Sequence, residues 1–160
     1  MLTSAQLATL KATIIADGTL NAFPNDGGGN TEIANAFNLN ASPNYTVWKR
    51  RVDISEIGDN IVGTDLAGLS TINNTRLQTA VVLATNGINP SLTDRRFFFD
   101  DIFSGAGGAA TRAKLLILWK RLATRAEKLF ATGTGSDAVP ATLTFEGFVT
   151  YQDVEAARNL

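Results

Sequence analysis

Between residues 109 and 131 the apolar side chains recur at helical spacing, and no other stretch limits the fold as much. At roughly 100° per residue, Leu115, Leu118, Trp119, Leu122, Ala126 and Leu129 fall on one face. That period predicts a single long helix whose apolar stripe must be covered. Lys114, Arg121, Arg125 and Lys128 fall on a separate stripe beside it, and Glu127 is the only acid in the run. The basic stripe reads as a docking surface for an acidic partner or for nucleic acid. It reads equally as a solvated face, with Arg125 and Lys128 suiting a helix C-terminus.

Other segments carry helix signals of their own. Thr3 and Gln6 have the spacing of a capping box, and Leu2 and Leu7 that of a hydrophobic staple across it. Leu7, Leu10 and Ile14 continue as an apolar face, and Gly18 ends the run. A short helix is expected over 31–37. Asp53 and Glu56 open another, through Ile61. A fourth is expected over 70–86, burying Leu77, Val81 and Ala84, with Gly87 as its stop. A fifth spans 93–103 and is dense in phenylalanine, which reads as core. Asn25 to Asn30, with three consecutive glycines, reads as a flexible loop; the Lys and Ser/Thr of a phosphate-binding loop do not follow it. Gly105 to Gly108 reads as a glycine-rich hinge. Around Trp48 three bases adjoin aromatic residues. A nucleic-acid contact is one reading, and a buried Trp48 flanked by solvated charges is the favoured one.

The tail changes character at Thr132-Gly133-Thr134-Gly135-Ser136, a flexible connector. Residues 141–145 alternate as a strand does, Glu146-Gly147 is a fair turn, and 148–150 can return as the second strand. Leu143, Phe145, Phe148 and Tyr151 are its candidate contact residues. Thr150 and Asp153 cap a last short helix ending at Arg158. A lone hairpin is marginal in water, so it must pack on the body or pair with another subunit. The expected fold is therefore mainly α. It has a small bundle of about five to six helices in residues 1–132, and a hairpin-bearing arm with a short terminal helix in residues 133–160.

The chemistry open to this chain is narrow. It has 160 residues, a net charge of −1, and neither cysteine nor histidine. Disulfides, Cys/His zinc sites, Ser–His–Asp triads and Cys–His nucleophiles are excluded. The carboxylates Glu32, Asp53, Glu56, Asp100 and Asp101 are scattered, and the adjacent pair points to different faces of its helix. A glycosidase needs two carboxylates across a cleft, so a lytic enzyme is the remote reading and no enzyme the expected one. No cofactor or metal is expected. Charged residues make up only 18% of the chain, which suits a subunit that hides surface against partners. The first residues lack a signal-peptide pattern, and the chain is expected to be made in the cytosol. The apolar run Leu115 to Leu118 is far too short to span a membrane.

Several segments resemble a family of small virion structural proteins encoded by tailed phages and prophages. They are the opening MLTSAQLATLK of residues 1–11, Ala41-Ser42-Pro43 with Val47-Trp48-Lys49, and Asp101-Ile102-Phe103-Ser104-Gly105-Ala106-Gly107-Gly108. The densest likeness is Ala123-Thr124-Arg125-Ala126-Glu127-Lys128-Leu129-Phe130-Ala131-Thr132-Gly133-Thr134-Gly135. Pro140-Ala141-Thr142, Phe145-Glu146-Gly147, Asp153-Val154 and Ala157-Arg158 follow it. The resemblance implies a place in the virion, with the head–tail connector, or neck adaptor, preferred. Its partners would be copies of itself in a dodecameric ring, the portal protein, other neck or tail proteins, and packaged DNA. A capsid decoration or tail-completion protein is the alternative.

Overall fold

The computed structural model describes every residue except Thr85. In chain order the helices are α1 (Ser4–Ala16), α2 (Gly18–Asn21), α3 (Gly27–Asn38), α4 (Ile54–Asn60), α5 (Gly63–Ala67), α6 (Thr71–Leu83), α7 (Thr93–Ile102), α8 (Ala109–Leu118), α9 (Arg125–Phe130) and α10 (Tyr151–Arg158). The strands are β1 (Thr46–Trp48), β2 (Lys120–Leu122), β3 (Ala131–Thr132) and β4 (Thr142–Leu143). β1 pairs with β2, and β3 with β4. The fold is mainly helical with a small hairpin near the C-terminus and a short terminal helix, as the periodicity predicts. Ten α-helices form among the described residues because several segments read as loops become short helices. No helix among the described residues is long and apolar enough to cross a membrane.

Two compact units result. Unit 1 joins Met1–Val47 to Leu122–Leu160, and unit 2 is the continuous stretch Trp48–Arg121. The boundary expected at Thr132 is corrected by this division. Residues 133–160 are no separate arm, because Leu143, Val149, Val154 and Ala157 are buried in the cores of unit 1. Leu10, Ile14, Ile33, Phe37, Ala126 and Phe130 complete the larger core there. The Leu2 backbone N–H donates to Asp153 Oδ1 at 3.0 Å, tying one end of unit 1 to the other. In unit 2, Val52, Ile57, Phe99, Ile102, Phe103, Leu115 and Trp119 form one core.

The single long helix over 109–131 does not form. α8 ends at Leu118, and Trp119 turns its ring into the unit 2 core, 5.7 Å from Phe99. The Trp119 carbonyl then accepts the Lys49 N–H at 2.8 Å instead of continuing a helix. Ala123, fully buried in unit 1, donates its N–H to the Tyr45 carbonyl at 2.9 Å. Helix resumes only at α9, where Thr124 and Glu127 make a reciprocal capping box. Two helical runs of one period thus serve two cores.

The hairpin is paired differently from expectation. Thr142–Leu143 pairs antiparallel with Ala131–Thr132 across the glycine connector, Leu143 opposite Ala131. Residues 148–150 form no strand. The Asn38 side chain holds Val149 instead, accepting its N–H and donating to its carbonyl at 2.9 Å each. The triple glycine opens α3 and is no loop. Asp26 caps it through the Gly29 N–H at 2.8 Å, and a Cβ on Gly29 would lie 2.1 Å from the Pro24 carbonyl oxygen.

Candidate functional site

The four bases of the expected stripe occupy three elements. Lys114 is exposed on α8, Arg121 is half-buried on β2, and Arg125 and Lys128 lie on α9. Only the last two share an element, and both are engaged inside unit 1. Arg125 donates to Asp17 Oδ2 at 2.7 Å, with its guanidinium 4.9 Å from the Phe37 ring centre. Lys128 Nζ stands 5.5 Å from the Tyr45 ring centre. The Arg125 partner holds the Asp17 carboxyl below the usual aspartate range, helped by the Leu20 and Thr19 N–H groups. The single-helix stripe is corrected for the reason that breaks the helix.

The expected strand residues divide by burial. Leu143 is buried, and Phe145 packs edge-on against Phe130 with ring centres 5.5 Å apart. Phe148 and Tyr151 stay outside, 72% and 46% exposed. The scattered carboxylates mostly serve the fold. Asp53 bonds the Arg51 side chain at 3.0 Å, Glu56 accepts the Asp53 N–H at 2.9 Å, and Asp101 pairs with Arg76 at 2.7 Å. Burial raises the Asp100 pKa, against the pull of Arg112 and Arg96. Glu32 is exposed on α3. Trp48 is half-buried on the unit 2 core and covered by the Arg96 guanidinium at 3.9 Å, so its face is already stacked.

One apolar concavity lies wholly in unit 2, between α6 and α7. It is a groove of about 560 Å³, within the size range of binding pockets. Ala80, Ala84, Ile88, Phe98 and Phe99 supply apolar walls, and Leu83 and Leu92 flank them at 78% and 51% exposure. Among the described residues, Arg76 and Arg95 are its charged lining residues. Arg76 is fixed by Asp101 and stands 5.2 Å from the Phe98 ring centre. Arg95 is exposed and makes no ion pair among the described residues.

Local sequence explains why the groove stays open. Ser70 caps α6, and the Asn73 side chain donates to the Ile102 carbonyl at 2.9 Å, setting α6 against the end of α7. Leu77 and Ala84 turn inward as expected. Val81 does not: it is 44% exposed, and Val82 is 71% exposed. The expected stretch 84–86 of this helix includes Thr85, which lies outside the described residues; the described helix ends at Leu83. Gly87 follows with φ +79°, where a Cβ would stand 2.9 Å from the Val52 carbonyl. Ile88 then exchanges both backbone hydrogen bonds with Val52 at 2.8 Å, which pins the groove's far wall. Gly87 was legible as a stop signal; the groove itself is a product of which α6 face meets α7.

No protein-family model matches the chain, and no curated protein or solved structure resembles it significantly.

Proposed function

We propose that this chain is a structural subunit of a tailed-phage virion, the head–tail connector that forms a ring docked on the portal. The observation carrying the reading is apolar surface left open in a chain whose buried cores are already closed. Ile72, Val82, Leu83, Leu92, Phe97 and Ile117 are each more than half exposed in unit 2, as is Phe148 in unit 1. Of these, Leu83 and Leu92 flank one apolar groove, and contiguous open apolar surface marks a binding or assembly face. The resemblance of the residue 101–108 and 123–135 segments to virion proteins supplies the setting. On this reading the partners are further copies in a dodecameric ring, the portal protein and other neck or tail proteins. Lys114, the exposed base of the expected stripe, would contact packaged DNA. The protein is made in the host cytoplasm, resides in the virion and acts without catalysis.

Gradient-purified particles test the reading. The chain should be present in them at ring-like copy number and should co-purify with portal. Its absence from such particles sinks the proposal. A copy number approaching that of the major capsid protein moves it to capsid decoration.

A further inference from the structure

The chain holds one Asn-Gly bond, Asn86-Gly87, and two Asp-Gly bonds, Asp17-Gly18 and Asp26-Gly27. The fold treats them in opposite ways. Asp17 and Asp26 are N-caps whose carboxylates accept the N–H groups of Thr19, Leu20 and Gly29, and both following glycines are helical. Asn86 lies in the turn after α6. It is exposed, and its side-chain amide makes no hydrogen bond among the described residues. Gly87 beside it has no Cβ to hinder approach to its nitrogen. The Gly87 N–H is held by one bond, to the Ala84 carbonyl at 2.8 Å. That bond closes the end of a helix, where local opening costs least.

We propose that Asn86-Gly87 is a modification site, at which the chain deamidates through a cyclic imide. Asparagine is a thermolabile side chain, and here no partner fixes it. The Gly87 amide gives its proton to solvent base, and its nitrogen attacks Asn86 Cγ. The N–Cγ bond forms, the Cγ–Nδ2 bond breaks, and Nδ2 takes a proton from water and leaves as ammonia. Water then opens the ring. Cleavage at Cγ gives aspartate with the ordinary backbone. Cleavage at the backbone carbonyl gives isoaspartate, in which the chain runs on through the side-chain carbons. Nothing is oxidised or reduced, and water is the only co-reactant.

The isoaspartyl product alters the backbone where it has least room. Gly87 turns at φ +79°, and even a Cβ there would stand 2.9 Å from the Val52 carbonyl oxygen. Ile88 follows, exchanging both backbone hydrogen bonds with Val52 at 2.8 Å, and both side chains are buried in the unit 2 core. An extra methylene in the chain just before this turn disturbs that pairing. An ordinary aspartate adds only a charge at an exposed position. Isoaspartate therefore loosens the far wall of the groove, and aspartate does not. The inference is independent of the assembly reading above.

Purified full-length protein is incubated at neutral and at mildly alkaline pH, below its unfolding temperature. Isoaspartate is read by enzymatic methylation of isoaspartyl carboxylates and placed by peptide mass mapping. It should accumulate at position 86 ahead of every other site, faster at the higher pH because Gly87 must lose its proton. Asn86→Gln, a conservative change on an exposed side chain, should remove the label. No isoaspartate at position 86, accumulation that does not rise with pH, or a label that survives Asn86→Gln overturns the proposal. Stability supplies the second reading. Protein aged to isoaspartate should show its tryptophan-emission transition at lower urea than fresh protein, since both tryptophans lie in unit 2. Asn86→Asp should keep the midpoint of fresh protein. An unshifted midpoint in the aged protein, or an equal shift in Asn86→Asp, overturns the part assigned to the lengthened backbone.

Discussion

The two units start their helices in different ways. In unit 1 every helix has a side chain at its N-cap that accepts a backbone N–H: Thr3, Asp17, Asp26, Thr124 and Thr150 for α1, α2, α3, α9 and α10. In unit 2 the Asp53–Glu56 capping box opens α4 and Ser70 caps α6, while Val62, Leu92 and Gly108 precede α5, α7 and α8 without a side-chain cap. Orphan N–H groups there find partners across the unit. Val62 donates to Thr111 Oγ1 at 3.0 Å, and the Thr111 N–H donates to Asp65 Oδ2 at 2.8 Å. Unit 1 therefore satisfies its helix starts locally, while α5 and α8 of unit 2 do so only once they have met. Stability should depend on polar caps in the first and on the aromatic core in the second.

The largest effect follows from that core. Phe103 is fully buried in unit 2. Phe103→Ala should cost about 3–5 kcal/mol, as deletion of a buried aromatic ring does. Phe37→Ala, equally buried in unit 1, should cost a similar amount elsewhere. The chain reports the two separately. Both tryptophans, Trp48 and Trp119, belong to unit 2, and both tyrosines, Tyr45 and Tyr151, to unit 1. In urea, Phe103→Ala should shift tryptophan emission at lower denaturant, while amide exchange in α1 and α10 remains slow. Equal loss of protection in both units from either variant breaks the contrast.

Acid should separate the units next. Burial opposes ionisation of Asp153, but hydrogen bonds from the Thr150 hydroxyl, the Thr150 N–H and the Leu2 N–H outweigh it and hold its pKa below the ordinary value. Asp17 is held low by Arg125. Both are in unit 1. A depressed carboxylate contributes stability above its unfolded pKa and loses it as pH falls through the folded value. Asp100, in unit 2, is raised by burial. Its folded form takes up a proton first, so falling pH relieves a penalty there. Lowering pH through and below the aspartate range should reduce amide protection, relative to the intrinsic exchange rate at each pH, in α1 and α10 before tryptophan emission moves. Asp153→Asn should remove part of the unit 1 response and cost about 1–3 kcal/mol near neutral pH, since it disrupts a charged, buried hydrogen-bond acceptor. An emission shift that precedes the exchange change runs against the assignment.

The same contrast explains what could be read from the residues alone. The Thr3–Gln6 and Thr150–Asp153 boxes are contiguous motifs, and both form. The break after Leu118 was also written locally, as Thr124-Arg125-Ala126-Glu127, the S/T-x-x-E pattern that starts a helix. The unbroken helical period across 109–131 concealed it, because the two runs share phase but serve different cores. The β4 partner was not legible. Residues 148–150 alternate as well as 131–132 does, and the Asn38 side chain that captures Val149 is 111 positions away. The groove escaped for a similar reason: Val81 and Leu77 carry the same helical signal, and only α7 decides which is covered.

The finest discrimination lies at Thr124. α9 has six residues, too few to hold a helix by propagation alone. Its start depends on the Glu127 N–H reaching Thr124 Oγ1 at 3.1 Å and the Thr124 N–H reaching Glu127 Oε2 at 3.0 Å. Glu127 is buried, and its other oxygen accepts the Gly147 N–H at 3.4 Å. Thr124→Ala removes one half of the box and should cost about 1 kcal/mol, read as a lower urea midpoint with unchanged slope. Thr124→Ser keeps the hydroxyl and should restore most of it. The loss should register as faster exchange in residues 125–130, with tryptophan emission unmoved at low denaturant. Thr93→Ala in unit 2 supplies the contrast: Thr93 follows the N-cap of α7 and caps nothing there, its hydroxyl only accepting an exposed bond from Arg96 at 3.2 Å, so its stability change should stay within about 0.5 kcal/mol. If Thr124→Ser is no better than Thr124→Ala, the cap does not hold α9, and packing of Ala126 and Phe130 must position it instead.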